Sequence, residues 1–127
     1  MKDGKKTILL VEDEEDLLEM YTMALMNKGY EVLSANNGVE ALAWLEEKYT
    51  EIDMILMDIV MPKMDGLEAL KKIKADDRFK KIMVVFSTNL DDKDDKIQAL
   101  EMGASDYLIK SQHTPSELAE KIEQLLG

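Results

Sequence analysis

The sequence predicts an α/β domain, a doubly wound parallel sheet of five strands with five helices on its two faces. Three observations carry this. Five short apolar runs alternate with five stretches of helical spacing along the chain. The first, third and fourth runs are almost continuously apolar, as strands covered on both faces are. Turn and capping residues fall between these runs and the helical stretches rather than inside them. The length of 127 residues, 46% of them hydrophobic and two of them proline, suits a single domain, 1–127, with enough core to fold without staples.

The strand runs are Thr7–Val11, Tyr30–Ser34, Asp53–Met57, Ile82–Phe86 and Asp106–Ile109. Between them, helical spacing puts Leu17, Leu18, Tyr21 and Leu25 on one face, then Val39, Leu42 and Leu45, then Leu67, Leu70 and Ile73. Ile97 and Leu100 mark the fourth helix, and Leu118, Ile122, Leu125 and Leu126 the fifth. Gly29 and Gly103 stand where helices one and four should stop. Asp65-Gly66 offers a cap and turn before helix three. Thr114-Pro115-Ser116-Glu117 has the spacing of a capping box with proline at the first helical position, and opens the last helix.

Composition narrows the function. With no cysteine there are no disulfides, thiolate nucleophiles or zinc ribbons, and a single histidine, His113, excludes a histidine-rich metal site. Sixteen basic against 27 acidic residues leave a formal net charge of -11. Such a surface repels phosphate backbones and anionic lipid, so direct binding to nucleic acid or membrane is not expected. Cationic partners and divalent metals are favoured instead. The basic start, Met1 to Lys6, imitates a signal peptide, but the apolar run after it, Ile8 to Val11, is too short. No other run approaches a membrane span, and a cytoplasmic protein is expected.

The carboxyl end of nearly every strand carries polar residues that the apolar pattern does not require. Glu12 and Asp13 follow strand one, Asp58 strand three, Ser87 and Thr88 strand four, and Lys110 strand five. In open α/β sheets ligands bind at that edge, where the strand order reverses. Three crowded carboxylates repel one another, and a hard cation relieves them; oxygen-only ligands favour Mg²⁺, then Mn²⁺. A carboxylate beside such a cation can attack phosphorus, and a lysine and a hydroxyl can neutralise the transferred group. Taken singly, each residue has a plainer explanation. Glu12 and Asp13 could be first-turn acids, Asp58 a buried structural carboxylate, Thr88 a strand end and Lys110 a surface lysine. Their convergence on one edge is what points to a site.

At Asp58 a family pattern emerges. Ile8-Leu-Leu-Val-Glu12-Asp13, Met54-Ile-Leu-Met-Asp58-Ile-Val-Met-Pro62-Lys-Met-Asp65-Gly66 and Gly103-Ala-Ser-Asp-Tyr107-Leu-Ile-Lys110 resemble response-regulator receiver domains of two-component signalling. The likeness runs from about Thr7 to Leu126. It implies a flavodoxin-like sheet of order 2-1-3-4-5 and a stand-alone, chemotaxis- or phosphorelay-like switch. By the resemblance, Asp58 is the phospho-acceptor, and Glu12, Asp13, Asp58 and the Val60 backbone carbonyl hold Mg²⁺, or Mn²⁺. Lys110 pairs with the phosphoryl group, and Tyr107 is the aromatic switch. Family spacing selects Thr88 over Ser87 as the switch hydroxyl. The implied partners are a histidine kinase or phosphotransfer protein and a downstream reader of the face formed by helix four, strand five and helix five. A monomer or a phosphorylation-dependent dimer is implied, and no metabolic enzyme.

Two departures stand out. Ser111 replaces the usual proline after the lysine, whose preceding bond is often cis; Asn89 replaces a small residue beside the switch hydroxyl. The apolar Val60 and Leu90 flank the acceptor and switch positions, which predicts slow loss of the phosphoryl group. The competing expectation is a phosphorylation-independent docking module of the same fold. A flavin carrier or phosphatase is disfavoured, because Glu12-Asp13-Glu14-Glu15-Asp16 replaces a glycine-rich phosphate cradle. The ten methionines read as core filler, with Met61 and Met64 at the rim of the site. Trp44 reads as packing or surface, His113 as a loop residue, and Asp91, Asp92, Asp94 and Asp95 as acids opening helix four.

Overall fold

The computed structural model describes residues 4–126, so the first half of the basic stretch Met1 to Lys6 lies outside it. The elements alternate as β1 (Thr7–Val11), α1 (Glu15–Asn27), β2 (Glu31–Ala35), α2 (Gly38–Lys48), β3 (Ile52–Met57), α3 (Gly66–Ala75), β4 (Met83–Thr88), α4 (Lys93–Glu101), β5 (Asp106–Ile109) and α5 (Pro115–Leu126), with a 3-10 turn at Lys110–Gln112. The five strands form one sheet of order β2-β1-β3-β4-β5, and every neighbouring pair is parallel.

Strand alternation divides the core in two. Ile8, Leu10, Met54, Leu56, Val85 and Leu108 face α1 and α5, where they meet Tyr21, Leu25, Leu118 and Ile122. Leu9, Val11, Ile55, Met57, Val84 and Phe86 face the other side and meet Leu45 of α2, Leu70 and Ile73 of α3 and Ala99 of α4. The continuous apolar runs of β1 and β3 follow from this double cover. Each fully buried aliphatic side chain contributes about 1.5–3 kcal/mol of transfer free energy.

The punctuation holds. Gly29 and Gly103 take φ of 91° and 109° after α1 and α4, a left-handed backbone that disfavours other residues. Asp65 accepts a hydrogen bond from the Glu68 amide at 2.8 Å. Thr114 and Glu117 cap each other reciprocally at 2.8 and 3.1 Å. Asp92 caps α4 by accepting from the Asp94 amide at 2.7 Å.

Three expectations need correction. Val39, Ile97 and Leu100 are 49%, 43% and 39% exposed. In α2 the inward stripe is Gly38, Ala41 and Leu45, which leaves Val39 about 100° round the helix. In α4 only Ala99 is buried, so its large apolar residues face outward. The methionines are not all filler either. Met54 and Met57 are buried, whereas Met20, Met23 and Met26 stand exposed along α1. Finally, β4 runs two residues beyond its apolar run, because Ser87 and Thr88 still pair with Leu108 and Ile109.

Trp44 is half-buried and donates its indole N–H to the Ser34 carbonyl at 2.8 Å, tying α2 to the edge strand.

Candidate functional site

The parallel sheet brings the carboxyl ends of β1, β3, β4 and β5 to one edge, and the residues following them form the site. Asp58 leaves β3 with its amide bonded to the Val11 carbonyl at 3.2 Å. Its Oδ1 accepts from the Ile59 amide at 2.6 Å, and its Oδ2 accepts from Lys110 Nζ at 2.6 Å. Lys110 reaches Glu12 Oε1 as well, at 2.5 Å. The lysine and Glu12 side chains are 7% and 2% exposed, so this is a buried ammonium between two carboxylates.

Burial raises the Glu12 carboxyl above its usual range, against the bonds from Lys110 and the Glu14 amide; the charge of Asp58 raises it further. Burial also works against the Lys110 charge, but its bonds to Asp58 and Glu12 outweigh that and hold the ammonium above its ordinary value. Removing Lys110 would leave two buried carboxylates without a counter-charge.

Ligand oxygens of Glu12, Asp13 and Asp58 lie within 4.8 Å of one another, with Asp13 exposed and the other two buried. All three offer hard oxygen donors, so the residues fit a small divalent cation with water completing its shell. An open cavity of about 320 Å³ adjoins them, lined among others by Asp13, Asp58, Val60, Thr88, Asn89 and Lys110. Glu12 has a second duty, since its Oε2 accepts from the Glu14 amide at 3.1 Å at the start of α1. The first-turn explanation of this acid is therefore correct as far as it goes.

Thr88 is buried, and its hydroxyl accepts from the Leu90 amide at 3.3 Å. Tyr107 is buried too. Its ring meets Phe86 edge-on at 6.3 Å, and its hydroxyl donates to the Leu90 carbonyl at 2.6 Å. Burial and the charges of Asp95, Asp58, Asp92 and Asp91 push its phenol up to about 12. Among the described residues no peptide bond is cis; Ser111 sits in the 3-10 turn beginning at Lys110.

The sequence-derived residues Asp13, Asp58, Val60, Thr88 and Lys110 thus line one cavity, with Glu12 bonded to Lys110 at its base. Met61 and Met64 do not line it. Met61 is buried in the core below, and Met64 packs over Gly38. His113 borders a neighbouring groove rather than the cavity. Two further hydroxyls stand close to this cluster: Ser87, passed over for Thr88 as the switch hydroxyl, and Tyr21, placed only on the inner face of the first helix.

Comparison with known proteins decides the family. Residues 8–123 match the response regulator receiver domain. This chain belongs to the receiver domain family. Receivers are signalling switches rather than classical enzymes, and they use an acidic pocket of this kind for Mg²⁺. This receiver is 37% identical over 121 residues to chemotaxis protein CheY1 of Helicobacter pylori, covering 94% of this chain and 96% of CheY1. It is also 37% identical over 121 residues to the phosphate regulon transcriptional regulatory protein PhoB of Pseudomonas aeruginosa, covering 95% of this chain. There the receiver spans only 52% of the relative's length. Among solved structures, the phosphorylated cyanobacterial phytochrome response regulator RcpA superposes with a TM-score of 0.85 at 30% identity, covering 97% of this chain and 94% of that one. Among the described residues no helix of this receiver is long and apolar enough to cross a membrane.

Proposed function

We propose that Asp58 accepts a phosphoryl group from a phosphohistidine of a partner kinase or phosphotransfer protein. A carboxylate oxygen of Asp58 attacks phosphorus, the P–N bond to the donor breaks, and the imidazole leaves with its electron pair. Mg²⁺, or Mn²⁺, held by Glu12, Asp13, Asp58 and the Val60 carbonyl, would supply positive charge to the phosphoryl oxygens. Lys110, now bonded to Asp58 Oδ2 at 2.6 Å, has only to follow the acceptor to pair with the new group. The Ile59 amide fixes Oδ1 and so orients the carboxylate. The observation that carries this reading is the buried Lys110 ammonium joining Asp58 to Glu12, with Asp13 within ligand distance.

Output passes through Thr88. Tyr107 is already buried, so the phosphoryl group acts on the Thr88–Leu90 segment to which both hydroxyls are bonded. A protein reader then meets an altered face of α4, β5 and α5, on which Ile97 and Leu100 are exposed. Val60 and Leu90 flank the acceptor and offer no polar group to attacking water, which supports a slow return to the unmodified state; loss of label within seconds contradicts this.

Incubation with acetyl phosphate and Mg²⁺ is expected to add the mass of one phosphoryl group, and Asp58→Asn to abolish the gain. Undiminished labelling of Asp58→Asn overturns the assignment.

A further inference from the structure

Ser87 is the one buried side chain among the described residues whose polar atom lacks a hydrogen-bond partner. Its direction follows from strand alternation. In β4, Val84 and Phe86 face α2, α3 and α4, whereas Val85 faces α1 and α5. Ser87 therefore shares the side of Val85, and Thr88 takes the opposite one. Continued one residue past β1 and β3, the same alternation carries Glu12 after Leu10 and Asp58 after Leu56 to the α1 and α5 side, and Lys110, in the turn after β5, is bonded to both. Register sets them side by side: Met57 pairs with Phe86, which puts Asp58 level with Ser87, and Ser87 pairs with Leu108, two residues before Lys110.

Tyr21 comes from α1 onto this side of the sheet and is 4% exposed. It lines, with Lys110, a groove of about 250 Å³ next to the acceptor cavity. Its hydroxyl lies beside Ser87, and its charged neighbours are Lys110, Glu12 and Asp58. The ammonium of Lys110 has three hydrogens, and its two carboxylate partners account for two. A cation bound by Glu12, Asp13 and Asp58 competes for the same carboxylate oxygens, and a phosphoryl group on Asp58 draws the lysine away from Glu12.

We propose that Ser87 and Tyr21 form a hydroxyl seat that positions Lys110. As Glu12 and Asp58 turn to cation and phosphoryl group, the seat takes one ammonium hydrogen and aims the others at the phosphoryl oxygens. Both are positioning residues, acting through the lysine, and the inference rests on Asp58 being the acceptor. A pair that merely packs would affect stability without regard to Lys110.

The test measures the rate of labelling by acetyl phosphate with Mg²⁺ in the full chain. Tyr21→Phe and Ser87→Ala are each expected to slow it about three- to tenfold, the loss of one hydrogen bond to a reacting group. Ser87→Thr, which keeps the hydroxyl, should restore it. The double variant should be no slower than the slower single one, and Tyr21→Phe should have no effect in a Lys110→Ala background. Parental rates in Tyr21→Phe, or the same slowing in both backgrounds, overturn the proposal. The ammonium ¹⁵N–¹H signal of Lys110 with Mg²⁺ is a separate readout, expected to be protected in the parent and exchanged away in the double variant. Protection unchanged by the double variant overturns the seat. Failure of the parent to take label refutes the acceptor reading instead, and the ammonium signal then decides the seat alone.

Discussion

Gly66 joins the acceptor strand to α3 so closely that a methyl group there should damage both fold and site. A Cβ at this position would lie 2.3 Å from the Asp58 carbonyl oxygen, 2.8 Å from Ile59 Cα and 2.9 Å from Phe86 Cε1. Two of these atoms are backbone, and the third belongs to a fully buried ring held edge-on against Tyr107. Relief requires the start of α3 to retreat from β3, which stretches the 2.7 Å bond from the Gly66 amide to the Ile59 carbonyl. Overpacking of this kind costs about 1–3 kcal/mol and a weakened buried bond about 1, while alanine returns up to about 1 through the unfolded chain. The net loss for Gly66→Ala is about 1–4 kcal/mol. At this chain length each kcal/mol corresponds to about 3–5 °C, so Tm should fall by about 3–20 °C. Because the crowded carbonyl is that of Asp58, labelling by acetyl phosphate should also slow by about tenfold or more. Calorimetry and intact mass check both. A Tm within about 2 °C of the parent, with labelling at the parental rate, would refute the reasoning from close approach.

Other consequences are local. Lys63 holds φ of 68°, a left-handed conformation costing about 1–2 kcal/mol for a residue with a Cβ, so Lys63→Gly should stabilise the fold by a net of about 0.5–1 kcal/mol after the entropy of a freer unfolded chain, read as a higher urea midpoint. Asn37, buried and accepting from the Glu40 amide at 2.9 Å, caps α2; Asn37→Ala should cost about 1 kcal/mol in thermal melts, with Asn37→Ser recovering most of it. Alkaline titration followed by phenolate absorbance should show a last step near pH 12 that disappears in Tyr107→Phe. Its sign is fixed. Above the ordinary phenol value of 10.0 the unfolded chain releases this proton while the folded chain keeps it, so Tyr107 contributes falling stability from that pH up to about 12.

The alternation of apolar runs and helical stretches was enough to read the α/β class. The unbroken apolar runs Ile8–Val11 and Met54–Met57 read as strands covered on both faces, and both are buried throughout. Glu12, Asp13, Asp58, Thr88 and Lys110 were legible for a related reason. Each is a polar residue at the end of a buried strand, where the sheet's own packing gives it no purpose. The faces of α2 and α4 were less legible. A hydrophobic side chain such as Val39 or Ile97 does not record which way its helix is rotated, and the small residues Ala41 and Ala99 take inward positions while Gly38 lies under Met64.

By itself, then, the sequence determined the class of fold, the chain order of the elements and the edge at which the acids, hydroxyls and lysine gather. Those are consequences of periodicity and of strand ends, which are local properties of a chain. Only the tertiary structure decided that Lys110 bridges Asp58 and Glu12, that Tyr107 is turned inward onto the Leu90 carbonyl, and that Ser87 lies level with Asp58 beside Tyr21 of a distant helix. Those depend on the register between strands and the rotation of helices upon them. Both are set by the packing of the whole core, and no single segment carries them.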